Sequence, residues 1–230
     1  METWRSRDPL PLFLVLLTLT TGLVDAVSYL GLGHVFTANM TGNVVILGFA
    51  LAGAKGFSVS ACLLALGAFL VGAAGGGRIG ASMAKGPRGK WLLTVAVFET
   101  VLLLGAAVAG RGLHLVASDS SRAPIIALTA IAMGLRNATV RRLAVPDLTA
   151  TVLTLTLTGL AADSWFAGGT NPRPARRIGA VGAMLAGAFL GAAMVLHSGL
   201  VSPLLVAAAV TLFIALSYAL HPASTPAPMS

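Results

Sequence analysis

From Leu10 onward the chain runs as long apolar stretches broken by short polar or glycine-rich segments. A helix rises 1.5 Å per residue and a bilayer's hydrocarbon core is about 30 Å thick, so roughly 20 apolar residues in a row can cross it. Six stretches meet that length: 10–31, 57–77, 91–110, 123–140, 178–197 and 203–220. Two others are apolar but fit less well. The stretch 36–54 contains Asn39, Thr41 and Asn43, and 148–162 spans only about 22 Å as a helix and carries Thr149, Thr151, Thr154, Thr156 and Thr158. Each is either a short span or a broken, re-entrant segment. The pattern predicts an all-α, polytopic membrane protein with eight apolar helical segments.

Composition agrees. Hydrophobic residues make up 57% of the chain and charged residues 10%, against roughly 25% charged in a soluble domain, and the mean hydropathy is +0.91. The net charge of +8 would suggest a nucleic-acid partner in a soluble protein. Here the basic residues sit in short clusters between apolar stretches, as they do in cytoplasmic loops, so no nucleic-acid partner is expected. Cys62 is the single cysteine, which excludes an intrachain disulfide and any cysteine-based metal site.

Loop charge discriminates between the two topologies. If all eight stretches cross and the N-terminus is inside, the inside holds Arg5, Arg7, Lys55, Arg111, Arg122, Arg173, Arg176 and Arg177, and the outside holds Arg78, Lys85, Arg88, Lys90, Arg141 and Arg142. That is hardly a bias. If 36–54 and 148–162 each enter and leave on one side, only Lys55, Arg111 and Arg122 remain outside and the other basic residues fall inside. Lys and Arg accumulate on the cytoplasmic side, so six full crossings are favoured over eight.

The two halves resemble each other. At one offset Gly22-Leu23, Asp25-Ala26 and Thr37-Ala38 align with Gly134-Leu135, Asn137-Ala138 and Thr149-Ala150; at a slightly longer one, Gly67–Leu70 aligns with Gly187–Leu190. The chain therefore divides into a cytoplasmic N-terminus (1–9), a first membrane repeat (10–110), a loop (111–122), a second repeat (123–220) and a Pro/Ser/Ala-rich tail (221–230) predicted to be disordered. Arg5 and Arg7 before an apolar run look like a signal peptide, but the following stretches are equally apolar and Val24-Asp25-Ala26 is a poor cleavage site. The run reads as an uncleaved first helix. With three crossings per half the repeats are inverted. Inverted repeats that each carry a broken helix form a transporter architecture whose site lies at the midplane.

Charge at membrane depth is expensive, which makes Asp25, Glu99 and Arg136 candidates for a solute or ion pathway, with Arg136 facing one of the carboxylates. A buried ion pair that fixes helix register is the alternative. Asn39, Thr41, Asn43 and Asn137 are the polar candidates, since Asn and Thr cap free N–H groups where a half-helix starts. Gly72, Gly76 and Gly80 form one small-residue ladder, and Ala183, Gly187 and Gly191 another. Close helix packing within the chain is the favoured use, and a homo-oligomer interface the other. His34, His114, His197 and His221 have no metal-ligand spacing and fall near helix ends. No nucleophile-elbow, P-loop or zinc-protease motif is present, so neither an enzyme nor a cofactor or metal site is expected.

The block VFTANMTGNVVILG, with TGLVDAVSYL before it and GLRNA in the second half, resembles the YoaK-like family of bacterial inner-membrane proteins of unknown function. The resemblance runs from about residue 12 to 220 and matches the family's motifs at Asp25, Asn39, Thr41, Gly42, Asn43, Gly134 and Asn137. It implies a multi-pass inner-membrane protein and no particular activity. The expected partners are the lipid bilayer and a small polar or ionic solute. The leading functional expectation is a small secondary transporter or channel-like carrier; a non-transporting scaffold or assembly subunit is the competing one.

Overall fold

A computed structural model describes residues 9–111, 119–144, 153–170 and 173–224. Among them are eight α-helices and no strand: α1 (Leu10–Gly31), α2 (Met40–Leu51), α3 (Val59–Met83), α4 (Arg88–Ala109), α5 (Asp119–Leu143), α6 (Leu153–Ala162), α7 (Pro174–Ser198) and α8 (Val201–Ala219). Six of these are long and apolar enough to cross a bilayer. The remaining two, α2 and α6, have 12 and 10 residues, or about 18 and 15 Å, and are too short. Local signals set several boundaries. Ser58 caps α3 by accepting from the Ala61 N–H at 3.3 Å, and Pro174 opens α7, which stops at Gly199 with a φ of 76°. At the basic end α3 runs on to Met83, α5 runs on to Leu143 and α7 begins at Pro174, so these helices project beyond the apolar stretches. Arg78, Arg141 and Arg176 then sit on helical turns at the bundle's end, where a long stem lets the charge reach water.

Two apolar clusters give the directions of the helices. One gathers Val27 and Leu32 near the end of α1, Ala61 and Cys62 at the start of α3, Ala106 and Ala107 at the end of α4, Ile125 at the start of α5, Val195 at the end of α7 and Leu204 at the start of α8. The other gathers Leu10 and Leu14, Trp91, Leu143, Ala180 and Tyr218 from the opposite ends of α1, α4, α5, α7 and α8, with Met83 of α3 against it. Successive long helices therefore alternate in direction. Because α1 ends and α3 begins in the same cluster, α2 enters and leaves on one side. The same holds for α6, since α5 ends and α7 begins in the other cluster. Six crossings result. Arg78, Lys85, Arg88, Lys90, Arg141, Arg142, Arg173, Arg176 and Arg177 lie toward one end, and Lys55, Arg111 and Arg122 toward the other.

Inside the bundle α1 packs on α7, α3 on α5, α4 on α8 and α5, and α1 on α8, while α2 lies on α3 and α6 on α7. The closest approaches are made by glycines. A Cβ at Gly187 would strike the carbonyl of Leu19 and one at Gly72 the carbonyl of Ile131. At Gly191 and Gly76 it would lie 2.7 Å from the carbonyl oxygens of Leu23 and Leu135. At Gly80 it would come within 2.9 Å of the Trp91 ring. Both ladders are thus used between helices of one chain. The outer surface is apolar too, with Leu70, Val101, Leu185 and Phe213 all exposed, as lipid contact requires.

The tail expected to be disordered from 221 is ordered at its start. Pro222–Ser224 form a 3-10 turn, and Ser224 is buried, donating to the Ala219 carbonyl at 3.0 Å and lying against Gly89 at the start of α4. That local bond and contact hold a segment whose composition alone gives no reason for order. Residues 1–8, 112–118 and 225–230 lie outside the described residues, and with them most of the expected cytoplasmic N-terminus, loop and tail.

Candidate functional site

Re-entry after α1 puts backbone polar groups back at membrane depth, where each needs a partner. Gly33 and His34 adopt left-handed backbone with φ of 89° and 59°, and the chain turns back along α1. The returning amide of Ala38 donates to Asp25 Oδ1 at 3.0 Å. Asp25 lies six residues before the end of α1, so this turn sits about 9 Å inside it. The positive end of α2 begins there. Asn39 caps it, its Oδ1 accepting from the Gly42 N–H at 3.3 Å.

Asn43 closes the turn from the other side. Its Oδ1 accepts from the Phe36 N–H at 2.8 Å and its Nδ2 donates to the Phe36 carbonyl. Both polar groups of one residue are thereby matched by a single side chain, which no water needs to replace. Asn43 is wholly buried, so it shapes the turn and presents no surface to a solute.

In front of the turn lies a cavity of about 500 Å³. Its walls include Thr21, Asp25 and Tyr29 from α1, Phe36, Asn39 and Thr41 from the turn and α2, Asn137 from α5, Leu153 and Thr154 from the first turn of α6, and Met184 from α7. Both short helices therefore begin at the same cavity. A neighbouring cavity of about 730 Å³ shares Asn39, Thr41 and Asn137 with it and extends to Arg141 and Arg142 at the arginine-rich end. Toward the other end Tyr29 and Phe36 stack at 4.9 Å, and His34 packs edge-on against Tyr29 at 5.3 Å.

Glu99 and Arg136 are elsewhere. They pair with each other on facing helices α4 and α5, each 2% exposed. Arg136 Nε donates to Glu99 Oε2 at 3.2 Å, and Nη2 donates to Glu99 Oε1 and to Thr211 Oγ1 at 2.9 Å. Nη1 donates to the Leu17 carbonyl and to Thr21 Oγ1, both at 2.9 Å. All five guanidinium donors are occupied, so nothing on Arg136 is left for a ligand. The expected carboxylate partner is thus Glu99; Asp25 has turned to the backbone instead.

Of the seven pathway candidates, the structure brings Asp25, Asn39, Thr41 and Asn137 to one cavity, sets Asn43 behind it, and separates Glu99 and Arg136 from it. Thr154 joins the cavity, while Thr149 and Thr151 lie outside the described residues. Thr21, Tyr29, Phe36 and Met184 also line it. Phe36 and Thr154 lie inside the two suspect stretches, whereas Tyr29 and Met184 carry no sequence signal, because their place depends on which helix faces which. Among the described residues no group of three or more His, Cys, Asp or Glu could hold a metal ion.

Six long apolar helices, with two short ones that lie on α3 and α7 and start at a polar cavity, define a polytopic α-helical membrane protein. The chain belongs to the family described as "Protein of unknown function (DUF1275)", whose profile matches residues 13–217. It is 36% identical over 160 residues to the UPF0700 transmembrane protein YoaK of Bacillus subtilis (strain 168), a match that covers 65% of this chain and 65% of that relative's length. No solved structure matches.

Proposed function

We propose that this protein is a small secondary transporter or channel-like carrier for a small polar or ionic solute, and not an enzyme. The observation that carries this reading is the meeting of two half-length helices, one from each half of the chain, at one polar cavity inside a bundle of spans. Half-helix starts and non-helical backbone at membrane depth are features of transporter sites, where they line the solute's binding place.

The packing supports an inverted repeat. Exchanging α1–α4 with α5–α8 turns α1 on α7 into α5 on α3, α4 on α5 into α8 on α1, and α2 on α3 into α6 on α7, and each of these pairs exists. Gly22 meets the backbone of Met184 and Ala188 on α7 as Gly134 meets that of Phe69 and Ala73 on α3. The equivalent glycines on α3 and α7 are then Gly72 with Gly187 and Gly76 with Gly191, so the alignment of Gly67 with Gly187 suggested by sequence is replaced. With opposite directions in the two halves, rocking one half against the other would open the cavity to alternate sides. The basic residues favour placing the arginine-rich end, and with it both termini, in the cytoplasm of a bacterial inner membrane.

Reconstituted into liposomes, the protein should carry charge or solute from a panel of small polar and ionic compounds, read as currents on a solid-supported membrane. Asp25→Asn and Asn137→Ala should each abolish that signal while the helix content stays intact. Equal signals in wild type and both variants would refute the reading.

A further inference from the structure

The charges around the cavity can be accounted for one by one. Arg136 is saturated and paired with Glu99, so neither adds net charge to it. Among the described residues that line the 500 Å³ cavity, Asp25 is the one with a formal charge. The amides at the start of α2 offset part of it, since a helix N-terminus carries about half a positive charge, and a net negative character remains. Arg141 and Arg142 line the neighbouring cavity and not this one, and both are exposed, so ionic screening, with a length of about 8–10 Å in water, weakens their field here.

The neutral groups point the same way. Asn137 uses its Nδ2 to donate to the Met133 carbonyl at 2.9 Å, which leaves its Oδ1 as an acceptor. Asn137 is on α5 at the position matching Asp25 on α1, so the cavity offers two oxygen acceptors from two different helices. Tyr29 and Phe36 add aromatic surface to the same wall. Acceptors, a carboxylate and aromatic rings around several hundred Å³ are what a cationic nitrogen with an attached apolar group requires; an anion would meet Asp25 unpaired.

Resting on the transport reading above, we infer that the solute is a small organic ammonium cation, its nitrogen between Asp25 and Asn137 and its apolar part against Tyr29 and Phe36. Three probes of one shape and different charge test this: n-butylammonium chloride, sodium butyrate and n-butanol, titrated calorimetrically into protein in nanodiscs of neutral lipid, at ionic strength fixed with sodium chloride. Butylammonium should bind, with butanol at least roughly tenfold weaker and butyrate absent, because one unit charge close to a partly buried carboxylate is worth at least that factor. Asp25→Asn should lower butylammonium affinity at least tenfold. Asn137→Asp, which adds a second carboxylate, should raise it several-fold. Should Asp25→Asn not fold, Asn137→Asp and Tyr29→Leu decide, the latter by a several-fold loss. Preference for butyrate, equal binding of all three probes, or an Asn137→Asp variant with unchanged affinity overturns the inference. If butylammonium fails to bind while another solute is carried in an Asp25-dependent manner, the inference falls and the transport reading stands; if nothing is carried at all, both fall.

Discussion

Replacing Arg136 by leucine removes one half of an ion pair that is 2% exposed on each side. Glu99 would then keep its charge in an apolar interior with only the Thr211 hydroxyl, 3.4 Å away, in reach. Thr21 Oγ1 and the Leu17 carbonyl would lose the donor that now joins α1 to α5. Breaking one side of such a pair typically costs about 3–5 kcal/mol, because the remaining charge stays buried without compensation. That corresponds to a factor of roughly 10² to over 10³ in the unfolding equilibrium. Removing both charges together, in Glu99→Leu/Arg136→Leu, restores an apolar interior of similar volume, and most of the loss should return. Unfolding in a graded series of SDS and lipid micelles, followed by helix content, measures all four corners of the cycle. If Arg136→Leu unfolds at the wild-type midpoint, or the double variant is no more stable than the single one, Glu99 and Arg136 do not act as a locked structural pair.

Gly187→Ala should destabilise by about 1–3 kcal/mol, since the new methyl would meet the Leu19 backbone, whereas Gly182→Ala on the same helix, with open space around it, should be neutral or slightly stabilising; the same SDS titration compares them. Asn43→Ala leaves the Phe36 N–H and carbonyl without partners, a loss of roughly 2–3 kcal/mol felt locally, and hydrogen exchange should speed up over 36–43 and stay unchanged in α7. In a Cys62→Ala background, a membrane-impermeant maleimide should label Lys55→Cys on intact cells and Lys85→Cys only after permeabilisation; labelling of both from one side would contradict the six-span path. Asn39→Ala removes the cap of α2 and should weaken cavity binding along with about 1 kcal/mol of stability.

The number of long helices, their approximate limits and the two misfit stretches were legible from apolar run length, because a bilayer demands a fixed rise of helix and punishes charge within it. Charge bias even favoured the six-span path, and the polar block 36–43 drew attention to the re-entrant turn. Three-dimensional packing decided the rest. Which carboxylate takes Arg136 depends on how α4 and α5 are rotated about their axes, and no spacing along one chain encodes the rotation of another helix. Asp25 was visible as a costly charge, yet its role as acceptor for the Ala38 amide exists only because the chain folds back beside it. The glycine ladders announced close approach but not whose backbone they approach, since a small-residue stripe fits a second copy as well as a neighbouring helix. Apolar length is a property of each segment alone and so survives in the sequence. The cavity is a property of five helices and a turn together, and only their packing creates it.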